Sequence, residues 1–273
     1  MPSLPSRVPL SPSAVVSALR AAGCVFAEDE AELILATARI PEEVAAMVER
    51  RTAGLPLEHV LGWAEFHGLR IAVEPGVFVP RRRTEFLVDQ ALAQAPDVTV
   101  VVDLCCGSGA LGAALAAALG RTSAAVRAGG VEVHAADIDP AAVRCARRNL
   151  AAFGGGAHLG DLYDALPAGL RGRVGVLMAN VPYVPTAEVA LLPPEARDHE
   201  PTAALDGGAD GLDVLRRVAA EAPAWLAPGG CLLTETSERQ APAAVREFGR
   251  AGLTTRAAVS EERAAHVVIG VRP

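Results

Sequence analysis

From Asp97 onward the chain alternates short apolar runs with longer amphipathic ones, and that rhythm leaves few folds open to it. Strands are expected over 98–104, 131–136, 174–179, 231–235 and 266–271, and helices over 110–119, 140–152, 212–226 and 241–251. Runs this short, apolar on successive residues, suit strands covered by helices on both faces of an open, mainly parallel sheet. The fold class is therefore α/β. Ligands bind such sheets beyond the carboxyl ends of the strands, so the chemistry is to be sought there.

The first sixty or so residues have another texture. Val15, Leu19 and Ala22 fall on one helical face, and so do Val44, Met47 and Val48 after Pro41, which a first helical turn tolerates. Between them a largely buried helix over 28–39 carries Leu33, Ile34 and Leu35. The stretch 66–79 follows, with short β-type runs broken by Glu74-Pro75-Gly76, which is read as the hairpin turn.

A chain of 273 residues, half of them hydrophobic, can bury a large core, yet no apolar run approaches the length that spans a bilayer. The opening MPSLPSRVPLSPS lacks the order of a secretory signal, and the expectation is a cytoplasmic protein with no membrane partner. All 25 basic residues are arginine and the net charge is −7, which argues against broad contact with phosphate backbones. Arg81-Arg82-Arg83 is the single basic cluster that could act as a local patch, and a solvated loop explains it equally well. The five cysteines, Cys24, Cys105, Cys106, Cys145 and Cys231, form no CxxC pair, so neither a zinc site nor a disulfide framework is expected.

Chemistry-bearing residues cluster after the strands. Asp103-Leu-Cys-Cys-Gly107-Ser-Gly109-Ala leads into an alanine-rich helix, and Gly107, Gly109 and Gly112 spell the dinucleotide fingerprint. The next strand ends at Asp137, ahead of a helix that Asp139 can cap and Pro140 can open. Asp137 is left free to hold a ribose diol, as an acid does in both nicotinamide and S-adenosylmethionine enzymes. Asp103 favours the second, because a carboxylate there repels a pyrophosphate and attracts a cationic amino-acid end. The spacing from Gly107 to Asp137 is also long for the dinucleotide motif, although an insertion over 121–130 would account for it.

The strand over 174–179 runs into Asn180-Val181-Pro182-Tyr183. An amide nitrogen is a poor nucleophile, since its lone pair is shared with the carbonyl, and must be oriented and polarised to accept a methyl group. Asn180 offers a side-chain oxygen, and the carbonyl of Val181, held extended by Pro182, offers a second. Tyr183 can stack on the planar amide and present its face to a cationic methyl donor. A plain Asn-x-Pro-Tyr turn is the structural alternative.

Together these residues resemble the HemK/PrmC-type protein-(glutamine-N5) methyltransferases, the release-factor glutamine methyltransferases. The similarity runs through Phe66-His-Gly68, Pro80-Arg81, Thr84-Glu85, the glycine loop, Asp137, Gly160-Asp161-Leu162, the NVPY tetrapeptide, Glu200-Pro201, GGADGL over 207–212, Gly229-Gly230 and Gln240. The resemblance implies a Rossmann-like, seven-stranded S-adenosylmethionine-dependent methyltransferase domain (81–273), a hairpin linker (63–80) and a helical N-terminal domain (1–62) that docks a protein substrate. It implies that Cys105, Cys106, Gly107, Ser108 and Gly109 wrap the methionine part of S-adenosyl-L-methionine, that Asp161 and Leu162 border its adenine, and that Asn180, Val181, Pro182 and Tyr183 grip the glutamine; Asn180 is expected to touch the cofactor as well. The implied partner is a peptide-chain release factor, methylated in a Gly-Gly-Gln loop. The methyl transfer itself needs no metal, and a monomer is expected.

The chain departs from the family pattern at Val181, a second proline in the pattern, at Cys105, a glycine, and at Leu162, where an aromatic can occur. Arg82-Arg83 replaces a neutral-to-acidic pair, and Thr236-Ser237 interrupts the segment before the glutamine. Four alternatives share parts of this reading: an adenine-N6 methyltransferase, a methyltransferase of small amides or amines, a non-catalytic relative that kept the fold, and an NAD-dependent dehydrogenase.

Overall fold

The computed structural model describes residues 10–122 and 129–273; most of the opening segment and of the insertion over 121–130 lie outside them. Seven strands form one sheet in the order β5-β4-β3-β6-β7-β9-β8. The strands are β3 (Val100–Leu104), β4 (Glu132–Asp137), β5 (Gly156–Leu159), β6 (Val174–Ala179), β7 (Leu226–Thr236), β8 (Thr254–Ser260) and β9 (Ala265–Val271). Strands β3 to β7 run parallel, while β9 is antiparallel to both β7 and β8. The order turns back at β3, with β4 on one side and β6 on the other, which makes the crevice above β3 the topological switch point of the sheet. Leu104 pairs with Ala136 on one neighbour and Ala179 on the other. Cys105, Asp137 and Asn180 therefore leave three adjacent strands at one level.

Helices cover both faces. On one lie α5 (Glu85–Gln94), α6 (Ala110–Thr122) and α7 (Pro140–Leu150), in a core with Val101, Met178 and Ile269. On the other lie α9 (Asp213–Trp225) and α10 (Ala241–Arg250), packed with Val102, Leu177 and Val268. Alternate strand residues thus feed opposite cores, as a sheet covered on both sides requires. Helix α7 shows the local logic: the Asp139 side chain accepts from the Ala141 N–H at 2.7 Å, Pro140 opens the first turn, and Val143, Ala146 and Leu150 are buried against the sheet.

The N-terminal segment forms α1 (Pro12–Ala21), α2 (Ala27–Thr37), α3 (Pro41–Thr52) and α4 (Leu57–Leu61) around a separate cluster of Val15, Leu19, Ile34, Val44 and Val48. Helix α2 is amphipathic instead of largely buried: Ile34 is enclosed, but Leu33 and Leu35 are half-exposed. The hairpin that follows, β1 (Trp63–Phe66) and β2 (Leu69–Ala72), turns at His67-Gly68 and not at Glu74-Pro75-Gly76. Both turn residues have positive φ, 49° and 74°, the two-residue geometry whose twist matches paired strands. Glu74 to Val77 makes a later turn that leads the chain to the sheet. Among the described residues no helix is long and apolar enough to cross a membrane.

Candidate active site

A cavity of about 630 Å³ opens over the ends of β3, β4 and β6. Its floor is the turn after β3. Cys105 (φ 53°), Gly107 (φ 52°) and Gly109 (φ 74°) all lie in the left-handed region, where glycine is at ease and a cysteine is strained. Gly109 has a second reason to lack a side chain, since a Cβ there would meet the Ala146 Cβ at 3.0 Å, where the turn packs on α7. Asp137, on the cavity wall, takes N–H bonds from Gly107 at 2.9 Å (Oδ2) and Asp139 at 2.9 Å (Oδ1). Burial nevertheless holds its carboxyl above the usual range. Asp161 and Leu162 continue that wall, with Asp161 held by Arg217 at 2.7 Å and Leu162 buried in a left-handed conformation (φ 47°).

At the other end stands the tetrapeptide. The Asn180 Oδ1 is buried and has no hydrogen-bond partner, and Asn180 is one of the residues that line the cavity. The Val181 carbonyl accepts no bond from another described residue. The backbone around them is pinned from behind. Gln240 Nε2 donates to the Tyr183 carbonyl at 2.9 Å and the Asp210 carbonyl at 3.0 Å, and a Cβ on Gly207 would lie 2.5 Å from the Pro182 carbonyl oxygen. The glycine loop 207–211 exists in this form because the tetrapeptide occupies the space side chains would need. An outer wall comes from residues 192–205, including the short helix α8 (Pro194–His199). Arg81 Nη2 donates to both oxygens of Glu200 at 2.6 Å, and Arg51 of α3 donates to Glu195 at 2.7 Å and Glu30 at 2.6 Å.

Residues 68–189 match the family described as the methyltransferase small domain. A release factor glutamine methyltransferase from Geobacter sulfurreducens is 40% identical over 217 residues, covering 78% of this chain and 72% of that protein. The chain belongs to the release factor glutamine methyltransferase family. Another similar protein, a 4-amino-L-phenylalanine/4-methylamino-L-phenylalanine methyltransferase from Streptomyces pristinaespiralis, is 36% identical and covers 85% of this chain and 79% of its own. Among solved structures, the T. thermophilus 16S rRNA N2 G1207 methyltransferase in complex with AdoMet and guanosine shares the fold, with a TM-score of 0.51 and 21% identity over 77% of this chain and 50% of that one.

The methyltransferase uses S-adenosyl-L-methionine as its methyl donor, and the residues present fit it: the cavity is within the range that encloses ligands of this size, and Asp137 offers acceptors at its wall. Of the residues expected to hold it, Cys105, Gly107, Asp137, Asp161, Leu162 and Asn180 line the main cavity. Cys106 and Ser108 are largely buried and border a smaller recess beside it. Gly109 packs on α7 instead. Asp103 is fully buried with its Oδ2 accepting from the Gly112 N–H at 3.0 Å, so its carboxyl faces the first turns of α6 and not the cavity wall. Its Oδ1 has no partner, and burial pushes the group up to about 8.

The arginine cluster is the main surprise in the methyltransferase. Each arginine faces a carboxylate: Arg81 is bound to Glu200, Arg83 to Glu235 and Tyr183, and Arg82, the most exposed of the three, lies 3.9 Å from Glu65. Glu235 was not singled out from sequence because it sits in an apolar strand run with no local partner. Its signal was a charged residue in an otherwise buried strand, which requires a counter-charge from elsewhere.

Proposed function

We propose that this methyltransferase transfers a methyl group to the N5 amide nitrogen of a glutamine in a peptide-chain release factor. The observation that carries the reading is the unpartnered, buried Oδ1 of Asn180, a residue that lines the cavity and follows its strand level with Cys105 and Asp137. A buried acceptor without a donor costs free energy on the order of 1–3 kcal/mol, and a substrate N–H removes that cost. The open carbonyl of Val181 takes the second N–H, and the pair draws density toward nitrogen and fixes its direction. S-adenosyl-L-methionine supplies an electrophilic methyl on sulfur. The nitrogen loses its surplus proton to water after it gains the methyl, so no strong base is required. Asp137 holds the ribose, the turn from Cys105 to Gly109 wraps the amino-acid end, and Asp161 with Leu162 borders the adenine. Asp103 supports that turn from behind. The helices over 12–61 dock the protein; they already reach the cavity through Pro56 and Glu58.

A second reading, a small aromatic amine as acceptor, draws on the relative from Streptomyces pristinaespiralis, which matches more of the chain than the Geobacter protein does. One experiment separates the two. The enzyme is incubated with labelled cofactor and either a bacterial release factor or 4-amino-L-phenylalanine, and the label is mapped by mass spectrometry. Label on the glutamine of the Gly-Gly-Gln loop, lost in Asn180→Ala while calorimetry still finds cofactor binding, is the expected result. Normal turnover by Asn180→Ala would sink it.

A further inference from the structure

Three side chains from distant segments meet behind the tetrapeptide. Arg83 donates from Nε to Glu235 Oε1 at 2.9 Å and from Nη2 to the Tyr183 hydroxyl at 2.6 Å. That hydroxyl donates in turn to the same Glu235 oxygen at 3.2 Å, which closes a triangle of hydrogen bonds. Glu235 lies near the end of the ladder, within β7 and beside Asn180, because Ala179 pairs with Thr234 across β6 and β7. The Glu235 side chain is 3% exposed and its Oε2 has no partner, whereas Arg83 is 48% exposed and lines the cavity.

Keeping a carboxylate in so dry a place is costly, and an apolar residue of similar size is often as stable there. The triangle therefore calls for a purpose other than stability. Its geometric effect is to fix the Tyr183 ring. A tyrosine restrained through its backbone alone can still turn at its side-chain torsions, but one whose hydroxyl both accepts from Arg83 and donates to Glu235 cannot. The hydroxyl also stays protonated under working conditions, since burial pushes it up to about 12. The charges of Arg83 and Glu235 offset one another within the triangle.

We infer that Arg83 and Glu235 are positioning residues that lock the Tyr183 ring as the wall against which the acceptor amide lies. This rests on the reading of Asn180 to Tyr183 as the grip on that amide.

The test measures release-factor methylation and S-adenosylmethionine affinity for Arg83→Met, Glu235→Gln, their double variant and Tyr183→Phe, with Asn180→Ala as reference. Misplacing a reacting group by about an ångström costs on the order of 100-fold in rate. Arg83→Met and Glu235→Gln are each expected to lose about that much in kcat, with KM for the protein nearly unchanged and cofactor affinity kept. The double variant should be no worse than the weaker single one, because the two act as a unit. Tyr183→Phe, which keeps the ring and loses the hydroxyl, should fall about tenfold. If Arg83→Met fails to fold, Arg83→Lys keeps the charge without the two-point fork and should lose kcat with an unchanged melting temperature. Wild-type kcat in the single variants, or losses that multiply in the double, would overturn the inference. An inactive Asn180→Ala beside a fully active Arg83→Met would sink the lock alone; an active Asn180→Ala would sink the reading beneath it.

Discussion

The two ends of the cavity are built by different means. The cofactor end is made mostly of main chain: one tight turn after β3, and Asp137 closing β4, held by that turn and by the Asp139 N–H; Asp161 past β5 is tied to a distant residue, Arg217. The acceptor end is made of side chains that travel far, with residues 81–83, 180–183, 200, 207–211, 235 and 240 brought together by ion pairs and one glutamine. A turn built from backbone tolerates a change of side chain if the dihedrals survive. A junction of remote side chains does not, because each member is placed by the others. Under the proposed function, the robust construction holds the cofactor and the adjustable one holds the acceptor.

That contrast can be broken at its strongest point. In Gly211→Ala the new Cβ would overlap the Tyr183 carbonyl oxygen and Gln240 Nε2 at a φ of 75°. The expected outcome is a loss of methylation on the order of 100-fold with cofactor affinity kept, read by kinetics and calorimetry; equal loss of both would erase the distinction between the ends.

A smaller effect tests the cofactor end. Asp103 holds its proton in the folded protein up to about pH 8, while an unfolded aspartate releases it near pH 4. Its folded-state pKa is raised, so its contribution is complete below the unfolded value and is lost as pH climbs toward 8. Urea titrations of the cofactor-free protein should therefore show wild type losing a few kcal/mol relative to Asp103→Asn between about pH 5 and pH 8. Parallel curves would mean that the carboxyl is not desolvated as described.

The smallest change is Cys105→Gly, which relieves a left-handed cysteine. A gain below about 1 kcal/mol is expected in thermal unfolding, offset in part by the freer unfolded chain. A clear loss would show that the thiol packs well enough to outweigh the strain.

What the sequence disclosed follows the same division. The central strands and the residues just past them were legible, because apolar runs bounded by glycine, aspartate and asparagine carry their own punctuation. The edge strands β5 and β8 were not: Gly156-Ala-His-Leu159 is too short, and Thr254–Ser260 exposes every other residue or more. Helix α5 escaped notice for a related reason, with Leu87, Val88 and Ala91 making too thin an apolar stripe. The hairpin was found but its turn misplaced, since Pro-Gly is a louder signal than His-Gly. In the site, Asn180 and Asp137 could be argued from chemistry alone. The partners of Arg81 and Arg83 lie 100 residues or more away, and nothing local distinguishes such arginines from solvated ones.

Having Leu104 abreast of both Ala136 and Ala179 sets a rule for which parts of this chain can change length. One residue inserted in β6 would push Asn180 forward by about 3.3 Å and turn its side chain to the opposite face, and the same holds for Asp137 at the end of β4. Connections from helix back to strand arrive at the far edge of the sheet, where extra residues leave the three strand ends in step. The backbone ladder thus acts as the ruler against which the reacting groups are set.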